Sequence, residues 1–143
     1  MPHVELSLPA TIGEYVSLQR EAFTGRAALV MAFRIVQPRF LLGGALDGDL
    51  EVWLQVLTVR GDGRWLRARE VLGFGVPIEL TITLPFTGGD AVLVAPTQEV
   101  GEVRGWQVVG RRLETSVLYR VHLEGTPPDA EVEVNAALLK PRP

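Results

Sequence analysis

The sequence predicts a mainly β protein, arranged as an antiparallel β-sandwich or a β-barrel-like domain with at most one or two short helices. Three observations favour this class: apolar and polar residues alternate along several segments, glycine-rich turns separate these segments, and helical spacing is rare. The chain has 143 residues, enough for one domain with its own core. We therefore expect residues 1–143 to form a single β domain.

Two segments show the alternation most clearly. In residues 76–84, isoleucine and leucine recur at every second position, with polar residues between them. Residues 50–59 follow the same pattern, and their second face carries Trp53 and is expected to be partly covered. Further strands are predicted at 4–8, 28–36, 91–95, 106–109, 116–123 and 130–138.

Helical spacing occurs at only two places, and both are ambiguous. Residues 13–23 predict a helix, with a strand at 15–18 as the alternative. Residues 64–72 fit either a short helix or a strand. The turn residues Arg-Gly-Asp-Gly at 60–63 favour a tight hairpin that leads into this second segment.

The two ends of the chain differ from its middle. Residues 1–11 hold a short strand between two prolines, and we interpret them as an N-terminal arm that pairs with a neighbouring subunit. Residues 139–143 are interpreted as an extended tail, because proline does not easily continue a sheet or a helix. The alternative is that both ends are ordinary frayed termini.

Charge and composition narrow the classes of partner. The net charge is −3, which gives no general attraction to nucleic acid or to anionic membranes. There is no cysteine, so disulfides and thiolate metal sites are excluded. Of the fourteen basic residues only Lys140 is lysine, and either a thermophilic source or GC-rich coding would produce this bias towards arginine.

Neither a membrane span nor a secretory leader is visible in the sequence. No apolar run reaches the ~18 residues that a membrane-spanning helix needs. The first ten residues lack a basic region followed by an apolar stretch. We expect the protein in a virion or in the cytoplasm, without a membrane partner.

The residues that usually carry catalysis are few and scattered. The chain has three serines, none of them in a Gly-x-Ser-x-Gly elbow, and two histidines, His3 and His122. His122 falls on a predicted strand, and we interpret it as a half-exposed strand residue. Glu131 and Glu133 share one strand face, which indicates a solvated surface rather than a catalytic pair of acids. We expect no enzymatic activity, no metal and no cofactor.

Arginine and tryptophan cluster in one part of the sequence. Four arginines lie close to Trp65, namely Arg60, Arg64, Arg67 and Arg69. Such a cluster is typical of single-strand binding, but the acids beside it favour salt bridges on a sheet face. Another interpretation joins Trp65 with Trp53 and Trp106 in a sugar-binding platform, although packing is the commoner role of tryptophan.

These observations predict a non-enzymatic structural or assembly protein that acts through protein–protein contacts, with nucleic acid disfavoured as a partner. The hydrophobic fraction of 47% is high for a short chain and indicates surface that oligomerisation covers. The alternative is a binding module for carbohydrate or single-stranded nucleic acid. The residues predicted to bind a partner are Val4, Leu6, Leu8, Arg64, Trp65, Arg67 and Trp106.

The chain also resembles the small β-rich decoration, or cementing, proteins on the capsids of tailed bacteriophages, including those of thermophilic hosts. The features behind the resemblance are the arm at 4–8, the barrel-like body at 50–59 and 76–84, and the arginine-rich, cysteine-free composition. The resemblance implies a homotrimer on a capsid shell. It also implies arms that reach between neighbouring subunits and help the shell to resist internal pressure.

Overall fold

The structure, a computed structural model, describes residues 3–18, 27–37 and 50–143, and most of these residues lie in antiparallel strands. The predicted mainly β fold class is therefore confirmed. Two 3₁₀ turns, Ala68–Glu70 and Ala136–Leu138, are the helical elements of these ranges, and no helix there is long and apolar enough to cross a bilayer. In chain order the strands are β1 His3–Leu8, β2 Tyr15–Leu18, β3 Ala27–Val36, β4 Glu51–Leu57, β5 Gly63–Arg67, β6 Val71–Gly73, β7 Ile78–Thr83, β8 Ala91–Val94, β9 Glu99–Arg111, β10 Glu114–Leu123, β11 Val132–Asn135 and β12 Leu139–Pro141.

The strands form two sheets. One pairs β1 with β7, and the larger one runs β11-β10-β9-β3-β2-β6, with β4, β5, β8 and β12 joined at its sides. Within the described residues β11 and β6 do not pair with each other, so the sheet stays open rather than closing into a barrel. Side chains from both sheets meet in one core cluster, which makes the arrangement sandwich-like.

Strand β9 joins two parts of the larger sheet. Its first residues pair with β8 and its last residues pair with β3, while β10 runs beside both parts. The β10 register shifts between Arg120 and Val121, which leaves Arg104 of β9 as an extra residue. Such a bulge bends a strand and increases its twist, and here it lies between the two partners of β9.

Alternate residues of the strands fill the core. The fully buried side chains of greatest volume are Tyr119, Ile35, Leu54, Val16, Val30, Val56, Val92, Val103, Val108 and Val121. Leu54 and Val56 lie on the face predicted to be apolar for residues 50–59, and the opposite face, with Trp53, is half-buried as expected.

The N-terminal strand belongs to the body of the fold rather than to an arm. β1 pairs with β7 of the same chain, with Leu6 opposite Leu80 and Leu8 opposite Ile78. Leu8 is buried, and Val4 and Leu6 pack half-buried against the core. The apolar face that indicated an arm covers the core of its own chain, because β7 offers a matching apolar face.

The C-terminal residues also differ from the prediction. Leu139–Pro141 forms β12, which pairs with β8, and Leu139 is buried. The N–H of Arg142 donates to the carbonyl oxygen of Ala91 at 3.2 Å. The extended tail predicted at 139–143 is thus largely a paired strand. Proline is accommodated because β12 pairs on one side only within the described sheet.

Both ambiguous segments contain strands, and the second also contains a 3₁₀ turn. Tyr15–Leu18 forms β2, so the helix predicted for 13–23 is wrong at these positions, and residues 19–23 lie outside the described ranges. Residues 64–72 are divided between β5, a 3₁₀ turn and β6. The hairpin predicted at 60–63 is confirmed: Gly61 has a φ of 87°, and β5 pairs with β4.

Candidate interaction surfaces

An exposed apolar patch lies where β2 and β6 run side by side. Tyr15, Leu72, Phe74 and Val76, here called the β6 patch, are 58%, 55%, 68% and 85% exposed. Continuing the β2–β6 register by one position brings Tyr15 opposite Phe74. Four large apolar side chains therefore meet solvent at one edge of the larger sheet.

The main chain beside the β6 patch is closely packed. A Cβ atom added to Gly73 would lie 2.0 Å from the carbonyl oxygen of Pro9, so only glycine fits where the chain leaving β1 crosses β6. Pro9 and Ala10 line a shallow depression of about 400 Å³ together with Tyr15 and Phe74. The main chain of β6 at Gly73 thus packs directly against the segment that follows β1.

A second surface lies on the solvent side of β4 and β5. Trp53 pairs across the strands with Arg67, whose guanidinium carbon lies 4.4 Å from the centroid of the Trp53 ring. Arg67 also donates to Glu51 Oε1 at 3.2 Å. Trp65 projects from the same side of β5 as Arg67 and is 37% exposed. Trp53, Trp65 and Arg67 are called the aromatic face below.

Polar side chains continue this surface across the sheet. Arg34 on β3 lies opposite Trp53 and donates from Nε to Gln107 Oε1 at 2.7 Å. Gln107 on β9 donates from Nε2 to the Glu133 carboxylate on β11. Hydrogen bonds therefore connect a polar row, defined as Arg34, Gln107 and Glu133, that begins at the aromatic face.

Glu133 lies in β11 and Glu131 directly precedes it, and the two acids contact different side chains. Arg120 donates to the carbonyl oxygen of Gln37 at 3.2 Å, and its Nε lies 3.7 Å from Glu131 Oε2 in a half-buried ion pair. Its guanidinium lies over Gly105, where a Cβ atom would come within 2.0 Å of it. Because Glu133 contacts Gln107 instead, the two acids have different partners.

The structure separates the seven predicted partner-binding residues. The three from β1 face the core, and Trp106 is 3% exposed, so it is buried rather than part of a surface platform. Arg64 lies opposite Val56, whose side chain faces the core, so Arg64 leaves β5 on the other side from Trp65 and Arg67. Of the predicted set, only Trp65 and Arg67 share one surface.

Sequence reasoning missed both the β6 patch and the polar row. A signal for the patch does exist, because Phe74 and Val76 are large apolar residues in a glycine-rich segment where polar turn residues are usual. No local signal exists for the contact between Arg34 and Gln107, since 73 positions separate them along the chain.

Histidine and serine side chains make contacts that join elements of the fold. His122 is half-buried on β10, as predicted, and its Nδ1 lies 2.9 Å from the Ala130 carbonyl oxygen. Ser7 on β1 donates to Glu79 on β7 at 2.7 Å. In the part of the chain that the structure describes, no three His, Cys, Asp or Glu side chains gather into a group able to hold a metal.

Comparisons with protein-family models, with curated proteins and with solved structures gave no match for this chain.

Proposed function

We propose that this protein is a non-enzymatic structural protein that acts through protein–protein contacts, and that the β6 patch is the contact between copies of the chain. The single observation that carries the proposal is the exposure of Tyr15, Leu72, Phe74 and Val76 at one sheet edge. Contiguous apolar surface of this kind is uncommon on monomers and marks interaction sites.

The position of the patch supports a role in assembly. β6 ends the described sheet and pairs on one side with β2, and an open sheet edge is a usual place for contacts between chains. Aromatic side chains such as Tyr15 and Phe74 are enriched in the centres of protein interfaces. Pro9 packs closely against Gly73, so the β6 main chain that carries Leu72 and Phe74 is supported by a second segment.

In its finer form, the proposal is that the protein is a capsid decoration protein of a tailed bacteriophage and forms a homotrimer on the shell. The composition and the mainly β fold support this form. The contact between subunits is assigned to the β6 patch and not to β1, because β1 is already paired with β7. Genes for capsid and portal proteins beside its own gene are expected, and a neighbourhood without structural genes would count against the finer form.

Light scattering over a range of protein concentrations tests the assembly proposal. We expect the wild-type chain to reach a mass of several chains, three in the finer form. The Phe74→Ser and Val76→Ser double variant is expected to remain closer to the monomer mass, because it removes apolar area from the contact.

Leu113→Ser is the matched control, since Leu113 is 95% exposed on the β9–β10 hairpin, outside the patch. This variant should assemble like the wild type. A wild-type chain that stays monomeric at every concentration would contradict the proposal, and so would an equal loss of assembly in the control.

A further inference from the structure

We propose that the aromatic face and the polar row together form a binding site for a neutral oligosaccharide. This inference goes beyond the proposed assembly role and involves a different surface from the β6 patch. It depends on three observations: exposed indole area, charges that are balanced on the surface itself, and polar side chains that are already held in place.

The two tryptophans of the aromatic face differ in how accessible their rings are. Arg67 covers one part of Trp53, so Trp65, at 37% exposure, offers the more accessible ring. Trp53 and Trp65 are diagonal neighbours on paired strands, a relationship that spans about 7–8 Å. Indole rings contribute large rigid contact area at a low cost in conformational entropy.

The surface carries both cations and acids. Arg67 is paired with Glu51 at 3.2 Å, and Arg34 is connected through Gln107 to Glu133. Arg67 therefore has an acid in direct contact, while Arg34 contacts the neutral Gln107 and shares its row with one acid, Glu133, so these four charged side chains carry no net charge. Nucleic acid binding draws its affinity from uncompensated positive charge, so this surface favours a ligand without charge.

The polar row keeps hydrogen-bonding groups that a ligand could contact. Among the described residues, Arg34 makes one side-chain hydrogen bond, from Nε to Gln107, and its exposed guanidinium keeps its terminal N–H groups as donors. Glu133 is exposed and accepts through one oxygen, so its second oxygen remains an acceptor. Because hydrogen bonds within the row already orient these side chains, ordering them costs little on binding.

Together these features fit the chemistry of a pyranose chain. A pyranose with equatorial hydroxyl groups presents C–H bonds on its two flat sides and hydroxyl groups at its edge. The flat side matches the Trp65 ring, and the edge hydroxyls match the donors of Arg34 and the carboxylate of Glu133. The inferred ligand class is thus a neutral oligosaccharide of β-1,4-linked, equatorially substituted sugars.

Isothermal titration of the full-length chain with cellohexaose and with chitohexaose tests this inference. Saturable binding to at least one of them is expected. Trp65→Ala and, separately, Arg34→Ala should each weaken that binding by about tenfold or more. Leu113→Ala is the control, an exposed apolar residue on the β9–β10 hairpin outside both surfaces, and should bind as the wild type does. Thermal unfolding of each variant shows whether it is folded.

Three results would overturn the inference. The first is an absence of saturable binding to both hexasaccharides. The second is binding to a single-stranded oligonucleotide that is tighter than binding to sugar and falls with salt, which would assign the surface to nucleic acid. The third is a folded Trp65→Ala variant with wild-type affinity. Because Trp65→Ala leaves the β6 patch intact, its mass in light scattering separates a failure here from a failure of the assembly proposal.

Discussion

The hydroxyl group of Tyr119 makes two hydrogen bonds with the main chain of Phe86. It donates to the Phe86 carbonyl oxygen at 2.9 Å and accepts from the Phe86 N–H at 3.0 Å. The two rings also meet edge to face, with centroids 5.8 Å apart. Phe86 lies between β7 and β8, so this contact attaches the link between the two sheets to β10.

Tyr119→Phe is expected to lower the free energy of unfolding by about 1–3 kcal/mol, because it leaves two buried main-chain groups without their partner. Denaturant unfolding of the two proteins measures the difference. The control is Tyr15→Phe, whose side chain is 58% exposed and should change stability by less than about 0.5 kcal/mol. Equal effects of the two substitutions would contradict the importance of the Tyr119 hydroxyl.

The same tyrosine predicts a dependence of stability on alkaline pH. Burial raises the pKa of the Tyr119 hydroxyl above its usual value near 10. The folded state therefore holds this proton more tightly than the unfolded state, and the free energy of unfolding falls as pH rises above the unfolded pKa. Below about pH 10 the contribution is fully present, and it is lost as pH rises through the folded pKa.

Unfolding curves from pH 8 to above pH 10 for wild type and Tyr119→Phe measure this contribution. The wild type should lose more stability across the alkaline part of the range than the variant does. Parallel stability–pH curves for the two proteins would show that Tyr119 does not titrate differently on folding.

A pair of glycines tests the packing that carries the β6 patch. Gly73→Ala is expected to destabilise the fold by about 1–3 kcal/mol, since the new Cβ would collide with the Pro9 main chain. Gly75→Ala is the matched control two residues away, where a Cβ meets nothing within 4 Å. Thermal unfolding of both variants measures the difference, and a neutral Gly73→Ala would mean that Pro9 does not cross β6 this closely.

Because β1 belongs to the body of the fold, substitutions on its buried side should lower the free energy of unfolding, whereas substitutions in a detachable arm would not. Leu8→Ala should cost about 2–5 kcal/mol, because Leu8 is buried in the core. Ser7→Ala, its neighbour on the exposed side of β1, should cost about 1 kcal/mol or less. Denaturant unfolding compares them. A Leu8→Ala variant as stable as the wild type would contradict this placement of β1 and would support the N-terminal arm predicted from the sequence.

Alternation along the chain predicted the strands whose two faces differ most. β4 and β7 were expected close to their observed bounds, because each has one apolar face and one polar face. The contact between Trp53 and Arg67 is also predictable in principle from the sequence, because the short hairpin between β4 and β5 fixes which residues of the two strands lie opposite each other. That part of the aromatic face depends on local sequence.

Other features depend on contacts between distant segments and carry no local signal. β9 extends well beyond the predicted residues 106–109 because its glycines, which usually indicate turns, lie under other groups. Gly110 is one of them, and a Cβ there would come within 2.1 Å of the Phe33 ring. Arg34 and Gln107 also meet only after β3 and β9 have paired, so the polar row was not predictable from spacing.

The central claim, that the β6 patch is the contact between copies of the chain, is tested most directly by amide hydrogen exchange of the wild type at low and high protein concentration. Exchange in the segment 71–77 should slow as concentration rises, because assembly covers β6, while the β9–β10 hairpin at Leu113 should exchange at one rate throughout. Protection that appears at Leu113 while residues 71–77 exchange equally fast at both concentrations would contradict the claim.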